Sequence, residues 1–187
     1  MGYNPPVDRD IARVLFTREQ ITARIAALAD DVARCYRQDE ADLTIVAILS
    51  GSLIFLADLI RCLPLRMRIG LVAVSSYPGP VTTPRRASTL TEIHADVRNR
   101  HVLVVDDILD TGNTLRLVTA RLREQQPASL RTCVLLRKPS KAPPDVAADF
   151  VGFDVDDVFV VGYGLDYDGQ YRNYPHIGVL RRELYTR

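Results

Sequence analysis

The chain has 187 residues, of which 47% are hydrophobic and 25% are charged. This composition is typical of a globular domain with a sizeable core, and we expect one domain over residues 1–187. The formal net charge of +1 argues against general binding to nucleic acid or to a membrane surface, since such proteins usually carry a basic excess.

The N-terminal charges and the cysteines favour a cytoplasmic protein with no membrane partner. The charged stretch Asp8–Asp10 interrupts any signal-peptide core, and no apolar run approaches the roughly 20 residues that span a membrane. Cys35, Cys62 and Cys133 are widely spaced and form no C-x-x-C pair. We therefore expect buried thiols in a reducing compartment.

The first elements are predicted by capping and periodicity. Residues 1–16 show no periodic pattern and are expected to be irregular. "TREQ", Thr17–Gln20, matches a capping box, and apolar residues then recur at helical spacing up to Tyr36. "LTIVAIL", Leu43–Leu49, is typical of a strand that is buried on both faces, and "SGS" and the helical "LIFLADLIRCL" follow it. This segment is therefore predicted to be a strand, a tight turn and a helix.

The rest of the chain continues to alternate between strands and helices. The predicted strands are Arg68–Tyr77, His101–Val105, "SLRTCVLLRK" and Val158–Tyr167, and a helix is predicted from about Asn113 to Gln125. "PGPVTTPRRAST", Pro78–Thr89, is predicted to be a long loop; such loops are usually functional or disordered. The alternation predicts an α/β fold with a mostly parallel sheet flanked by helices.

Four polar segments follow predicted strands: "SGS", "DDILDTGNT", "RKPSK" and "GLDYDGQYR". Ligands of parallel α/β sheets bind at the carboxyl ends of the strands. These segments are therefore expected to converge on one site.

The segment Asp110–Thr114 has the features of a phosphate-binding loop. Gly112 permits a tight turn, and Thr111, Asn113 and Thr114 supply polar groups. The next helix starts here, so free backbone N–H groups and the positive end of the helix dipole face the same space. The lysine of a Walker P-loop is absent. The pattern therefore favours an anchored monophosphate.

The acids before this loop suggest a sugar between the phosphate and the rest of the ligand. Asp106 and Asp107 are adjacent, so an extended backbone directs them to opposite sides. Carboxylates suit hydroxyls, a developing cation or Mg²⁺. Three alternatives remain at this point. The pair could begin a response-regulator receiver, although it lies past the middle of the chain; Asp110 could simply cap the helix; or the strand could be a Walker-B strand without its P-loop.

These segments together resemble the type I phosphoribosyltransferases. "VLVVDDILDTGNTL" resembles their signature for phosphoribosyl pyrophosphate (PRPP), and "LSGSLIFLADLI" resembles their pyrophosphate loop and helix. "SSY", Ser75–Tyr77, resembles the start of the flexible catalytic loop. "LLRKPS…DFVGFDVDDVFVVGYGLDYDGQYRNYPHIGVL" resembles the purine-binding hood of the hypoxanthine (hypoxanthine-guanine) type. The resemblance covers about residues 17–180.

The resemblance implies a fold and an activity. The implied type I phosphoribosyltransferase fold has a core at about 17–137, a small hood from 1–16 and 138–187, and a flexible catalytic loop at about 75–92. The implied reaction is Mg²⁺-dependent transfer of 5-phosphoribosyl from PRPP to N9 of a 6-oxopurine in purine salvage. Hypoxanthine and guanine would give IMP and GMP with pyrophosphate. The family also implies a homodimer or homotetramer.

The resemblance further implies roles for the acids and for the base-binding residues. Asp110 matches the base near purine N7. Asp106 and Asp107 match the acids beside the ribose hydroxyls and the Mg²⁺-bound PRPP, and Asp166 matches a Mg²⁺ ligand. The base would be bound by Lys138 at its exocyclic O6, by Phe159 stacked on the purine, and by the backbone of Val160. The 5′-phosphate would be bound by Thr111, Gly112, Asn113 and Thr114, and pyrophosphate by Ser50, Gly51, Ser52 and Arg172. Ser76 and Tyr77 would belong to the catalytic loop.

The chain departs from the family pattern in two places. Ser50 stands where many members carry Lys or Arg, next to the Leu49–Ser50 bond that the family makes cis. Pro78, Pro80 and Pro84 lie in the catalytic loop, and we expect slower or smaller loop closure. Two other functions stay open: a nucleotide-sensing RNA-binding regulator, and a phosphoribosyltransferase for xanthine.

Overall fold

The computed structural model describes residues 7–36, 43–76, 88–90 and 95–186, and it contains two sheets in these ranges. The helices are α1 (Val7–Asp10), α2 (Arg18–Tyr36), α3 (Leu53–Cys62) and α4 (Asn113–Arg123), with a 3-10 turn at Arg182–Leu184. The strands are β1 (Ile11–Phe16), β2 (Leu43–Leu49), β3 (Met67–Ser76), β4 (Ser88–Leu90), β5 (His101–Leu109), β6 (Ser129–Arg137), β7 (Phe150–Asp154), β8 (Val160–Val161) and β9 (Ile177–Leu180).

The main sheet has the strand order β4–β3–β2–β5–β6–β7. Its last five strands pair in parallel, and β4 pairs antiparallel to β3 at the edge. β2 lies between β3 and β5, so its ladder is paired on both sides. This position explains its continuous apolar run, because a central strand is covered on both faces; all side chains from Leu43 to Ile48 are buried, and Leu49 is half-buried. The prediction of a mostly parallel α/β sheet is confirmed.

Helices cover the main sheet on both faces and create two separate cores. Side chains alternate along β5, so Leu103 and Val105 pack in the core beneath α2 and α3. Val102 and Val104 pack on the opposite face against α4. The predicted capping box at the start of α2 is confirmed: the backbone N–H of Thr17 donates to Gln20 Oε1 at 2.8 Å, and the N–H of Gln20 donates to Thr17 Oγ1 at 3.4 Å.

The second sheet forms a hood from both ends of the chain, in the order β1–β9–β8 with antiparallel pairing. The prediction of an irregular N-terminal segment was therefore wrong for Val7–Asp10, a helical turn, and for Ile11–Phe16, a strand. β1 is stabilised by pairing with Ile177–Leu180, and a partner so distant in sequence leaves no local periodic signal.

The predicted fifth strand, Val158–Tyr167, was also wrong. Only Val160–Val161 within it is a strand, and it belongs to the hood. Gly162 and Gly164 have φ values of 97° and 101°, which turn the chain out of an extended conformation. The fifth parallel strand is instead Phe150–Asp154, in a segment that the resemblance assigned to the hood.

Three smaller expectations also needed correction. β5 continues past Val105 to Leu109, so the acidic pair lies within the strand. The predicted loop at 78–89 ends in the short strand Ser88–Leu90, and residues 77–87 lie outside the described ranges. Cys133 is buried, but Cys35 and Cys62 are exposed. No helix in the described part of the chain is long and apolar enough to cross a membrane.

Truncating a side chain at the centre of the main sheet should destabilise the protein. Val104 is fully buried, whereas Val14 on β1 is 44% exposed. Val104→Ala should lower the free energy of unfolding by about 2 kcal/mol, through lost burial and a residual cavity. Val14→Ala, which removes the same two methyl groups, should cost less than about 1 kcal/mol. Urea unfolding followed by circular dichroism measures both, and equal losses would contradict this assignment of the core.

Candidate active site

The turn between β2 and α3 lies at the carboxyl end of the central strand. Its Leu49–Ser50 peptide bond is cis. The buried Ser52 hydroxyl donates to the carbonyl of Ile48 at 2.5 Å, so this side chain is bonded within the protein. Ser50 is exposed, and the helix begins at Leu53. Leu49 and Gly51 of this turn line a cavity, whereas Ser50 and Ser52 do not.

Two glycines allow this turn to lie close to the acids and to the hood. A Cβ at Gly51 would lie 1.5 Å from Asp107 Oδ2. A Cβ at Gly164, which has φ +101°, would lie 2.2 Å from the Gly51 carbonyl oxygen. Neither position can hold a side chain without displacing its neighbour. The acid, the turn and the hood are therefore in direct contact.

The acidic pair is held at the end of β5 by its own backbone. The N–H of Asp107 donates to Asp106 Oδ1 at 3.0 Å, and the N–H of Ile108 donates to Asp107 Oδ1 at 2.8 Å. Burial raises the pKa of Asp106 well above its ordinary value, and the neighbouring Asp107 carboxylate adds to that effect. Burial also raises the pKa of Asp107, with partial offset from its hydrogen bonds and from the Arg172 charge.

The loop after the acids turns at Gly112 and begins α4. Gly112 has φ +72°, and its carbonyl accepts the first helical hydrogen bond, from the N–H of Arg116, at 2.9 Å. Gly112 is the N-cap, and no side chain in the described part of the chain caps this helix, so the alternative in which Asp110 is merely a helix cap was wrong. The N–H groups of the first helical turn stay available for an anion.

A first cavity, of about 250 Å³, joins the turn, the acids and this loop. It is lined by Ile48, Leu49, Gly51, Val74, Asp106, Asp107, Ile108, Leu109, Asp110, Thr111, Gly112, Asn113, Thr114 and Leu115. Three of the four segments that the sequence placed at the carboxyl edge are brought to one space by this cavity and the hood contact at Gly164.

A second cavity, of about 600 Å³, opens from the same acids towards the hood. It is lined by Asp107, Ile108, Asp110, Lys138, Lys141, Asp157, Val158, Phe159, Val160, Leu165, Asp166, Val179 and Tyr185. The two cavities share Asp107, Ile108 and Asp110. A ligand could therefore extend from the phosphate loop at one end to the hood at the other.

The charged wall of the second cavity is formed by Lys138 and Asp110. The N–H of Lys138 donates to the carbonyl of Leu109 at 3.0 Å, which places this lysine beside β5. Its ammonium lies 3.1 Å from Asp110 Oδ2. The other oxygen, Asp110 Oδ1, is buried and has no hydrogen-bond partner among the described residues. An unpaired buried acceptor that borders a cavity is suited to receive a ligand N–H.

The aromatic wall contains one residue that the sequence predicted and one that it missed. Phe159 stacks on Tyr185 with ring centroids 4.9 Å apart and an interplanar angle of 25°. Tyr167 contacts Phe159 edge-on at 5.5 Å. Tyr185 lies in "RRELYTR" near the end of the chain, where a lone aromatic residue among charges carries no specific signal. No role was predicted for Asp157, or for Lys141 within "RKPSK", because lysines and aspartates in loops are usually solvated.

Arg172 and Asp166 lie together on the hood. The Arg172 guanidinium donates to the Gly164 carbonyl at 2.6 Å and pairs with Asp166 Oδ1 at 2.8 Å. Asp166 Oδ2 accepts from the N–H of Gly169 at 2.9 Å. The described residues include no group of three or more potential ligands that could hold a metal ion. The single Asp166 carboxylate still fits Mg²⁺, because this ion typically binds one or two carboxylates and completes its coordination shell with phosphates and water.

Two predicted site residues cannot be placed. The backbone of Ser76 ends β3, but its side chain and the whole of Tyr77 lie outside the described part of the chain. The prolines of the predicted catalytic loop lie there too, so the expected slower or smaller loop closure stays a prediction.

Comparisons with known proteins agree with this arrangement. A family model described as "Phosphoribosyl transferase domain" matches residues 17–168. Hypoxanthine-guanine phosphoribosyltransferase of Mycobacterium tuberculosis is 41% identical over 180 residues, 94% of this chain and 89% of that protein. Hypoxanthine phosphoribosyltransferase of Escherichia coli is 39% identical over 165 residues, 88% of this chain and 93% of that protein. The crystal structure of a hypoxanthine phosphoribosyltransferase from Staphylococcus aureus superposes with a TM-score of 0.91 at 36% identity, covering 100% of both chains.

The raised pKa of Asp106 predicts that this carboxylate lowers stability at neutral pH. The folded protein binds the Asp106 proton more tightly than the unfolded chain does. The free energy of unfolding therefore falls as pH rises from the ordinary aspartate pKa, about 3.9, through the raised folded value. Asp106→Asn keeps the acceptor for the Asp107 N–H and removes the charge. It should therefore raise the free energy of unfolding at pH 7.

The stabilisation by Asp106→Asn should vanish near pH 3, where the Asp106 carboxyl group is protonated and therefore as neutral as the asparagine. Urea unfolding in the presence of EDTA at the two pH values measures it. Asp145→Asn is the control, because Arg116 lowers the pKa of this exposed carboxyl group; it should not stabilise. A loss of stability in Asp106→Asn at pH 7 would contradict the burial argument.

Proposed function

The chain belongs to the phosphoribosyltransferase family, and we propose that it transfers the 5-phosphoribosyl group of PRPP to N9 of a 6-oxopurine in purine salvage. Hypoxanthine is the expected base, and guanine is expected as a second substrate, so the products are IMP or GMP and pyrophosphate. The observation that carries this proposal is the pair of cavities that share Asp107, Ile108 and Asp110. They suit a ligand with a phosphate at one end, a ribose in the middle and a base at the other end.

The phosphate end needs only backbone donors. The N–H groups of Thr111–Thr114 and the α4 dipole would bind the 5′-phosphate, since a helix N-terminus with free N–H groups favours an anion. The ribose would then lie over Asp106 and Asp107, where carboxylates accept hydrogen bonds from its hydroxyls. The same carboxylates would stabilise positive charge that develops on the ribose as pyrophosphate leaves.

At the base end, the site would distinguish the substituent at the six-position of the purine. A lysine ammonium offers three donors and no acceptor, so Lys138 would bond to a 6-oxo group and would find no lone pair on a 6-amino group. Asp110 Oδ1 would accept the N7 proton of the base. The ring would lie against Phe159, and the buried Val160 backbone would complete its contacts.

The reaction then needs positioning and charge stabilisation. N9 forms a bond to C1′ while the bond from C1′ to pyrophosphate breaks, and the base loses its N7 proton to Asp110. Mg²⁺ would neutralise charge on the departing pyrophosphate, with Asp166, Asp106 and Asp107 as its candidate protein ligands. The N–H groups of Gly51 and Ser52 and the Arg172 guanidinium would bind that pyrophosphate. Because Ser50 supplies no cation, Arg172 would be the main positive side chain for this group.

We also propose a homodimer or homotetramer. Leu53 on α3 and Ile69 and Leu71 on β3 are each close to half exposed, although they are large apolar residues. Leu71→Glu should therefore shift the mass measured by light scattering towards the monomer. A wild-type protein that is monomeric at micromolar concentration would overturn this proposal.

The three free cysteines are consistent with the expected reducing cytoplasm.

The direct test is product formation from PRPP and Mg²⁺ with hypoxanthine, guanine, xanthine, adenine and uracil in parallel. Turnover is expected with hypoxanthine and guanine, and it should be lost when EDTA removes Mg²⁺. Asp110→Asn should lower kcat by about 100-fold, the size of a lost general base. Asp145→Asn, the same change at an exposed carboxylate outside both cavities, should leave kcat unchanged.

Three outcomes would contradict the proposal. Preferred turnover of xanthine would show that the substrate is xanthine rather than hypoxanthine or guanine. PRPP binding without turnover of any base would revive the regulatory function, and RNA affinity that falls steeply with salt would support that outcome. Full activity in Asp110→Asn would remove this residue from the mechanism.

A further inference from the structure

Four charged side chains border one side of the 600 Å³ cavity: Lys138, Asp110, Asp157 and Lys141. The function proposed above, on which this inference rests, uses only Lys138 and Asp110. Asp157 and Lys141 have no role in it, although both line the same cavity. Their contacts indicate what they do.

Asp157 holds both lysines through one oxygen. Its Oδ1 lies 3.2 Å from the Lys138 ammonium and 2.9 Å from the Lys141 ammonium. Lys141 also lies 3.7 Å from Asp110 Oδ1, which is the oxygen without a hydrogen-bond partner. The four groups thus alternate in sign and balance to zero net charge. Both lysines lower the pKa of Asp157, with Lys141 as the largest cause.

Burial makes this arrangement important for Lys138. Its side chain is 8% exposed, whereas those of Asp157 and Lys141 are 47% and 41% exposed. A buried ammonium needs a carboxylate partner, because an unpaired charge away from water is strongly unfavourable. Asp110 alone cannot fill that role throughout the reaction, since it also has to accept the base proton.

The backbone places the two lysines on the same side of the cavity. Lys138 follows the last residue of β6, and its carbonyl accepts hydrogen bonds from the N–H groups of Lys141 at 3.0 Å and Ala142 at 2.9 Å. This turn brings residues three positions apart to one face. The arrangement therefore follows from local hydrogen bonds rather than from a chance surface contact.

We propose that Asp157 is a positioning residue that fixes the Lys138 ammonium for the six-position of the base, with Lys141 as its counter-ion. When Asp110 turns to the base, Asp157 still pairs with Lys138, so the donor does not move. The 3.7 Å contact between Lys141 and Asp110 is the weakest of the four and is the one that the base would replace. Selection of a 6-oxopurine thus depends on a residue that does not need to touch the base.

The test compares Asp157→Asn with Asp154→Asn. Asp154 pairs with Arg137 at 2.7 Å, lies three positions away and is outside the 600 Å³ cavity, so it is a matched control. Asp157→Asn should raise KM for hypoxanthine about tenfold while KM for PRPP changes less than about twofold. Calorimetric titration should show IMP affinity falling about tenfold and AMP affinity falling less than about twofold, because AMP shares the phosphate and ribose but lacks O6.

Two further variants separate positioning from damage to the fold. Asp157→Glu keeps the charge and should recover most of the IMP affinity. Lys141→Met leaves Lys138 paired with Asp157 and should weaken IMP less than Asp157→Asn does. Equal behaviour of Asp157→Asn and Asp154→Asn, or equal losses for hypoxanthine and PRPP, would overturn the inference while leaving the proposed function intact. A wild-type protein that turns over no base would instead refute the proposed function itself.

Discussion

The site depends on the burial of two adjacent carboxylates near the carboxyl end of β5. Asp106 and Asp107 lie within the paired part of β5, where the sheet and its two cores leave little access to water. Their position has a cost in stability, since burial opposes ionisation of both groups. The neighbouring structure adapts to them: Gly51 contacts Asp107, and Gly164 contacts Gly51. The acids, the turn and the hood are thus positioned by successive close contacts.

The proposed function divides the site into three zones. Backbone N–H groups at the start of α4 would bind the phosphate, without a side-chain cation. The acids would bind the sugar. Lys138, Asp110 and Phe159, which line the cavity between the main sheet and the hood, would bind the base. Since the hood is built from both ends of the chain, the base zone is complete only when β1 and β9 have paired.

The sequence predicted those parts of the structure that depend on local pattern. The capping box of α2, the buried strand β2 and the glycine turn before α4 each have a mechanism that acts within a few residues. β1 was missed because its partner, β9, is distant in sequence. β7 pairs with the strand directly before it in the chain, and it was missed because its own pattern is only five residues long. Val158–Tyr167 was predicted to be extended because it is rich in β-branched and aromatic residues, but Gly162 and Gly164 turn the chain.

The residues of the site were likewise predictable only where they form a local pattern. Segments with several chemically distinctive residues, such as "DDILDTGNT", were predicted from sequence alone to lie together at the carboxyl ends of the strands. Asp157 and Tyr185 were found at the cavity only through tertiary contacts, because single charged or aromatic residues in loops carry no such pattern. Lys141 lies in "RKPSK", which was expected at the site, but no role was predicted for it. Ser50 is a different case, because its departure from the family pattern was visible in the sequence, whereas its exposure required the structure.

A crystal structure of the protein with IMP, Mg²⁺ and pyrophosphate would show whether the two cavities bind one nucleotide. We expect the 5′-phosphate on the N–H groups of Thr111–Thr114, the ribose over Asp106 and Asp107, and O6 within hydrogen-bond distance of the Lys138 ammonium. A nucleotide phosphate bound elsewhere, or a base directed away from Lys138 and Asp110, would contradict this expectation.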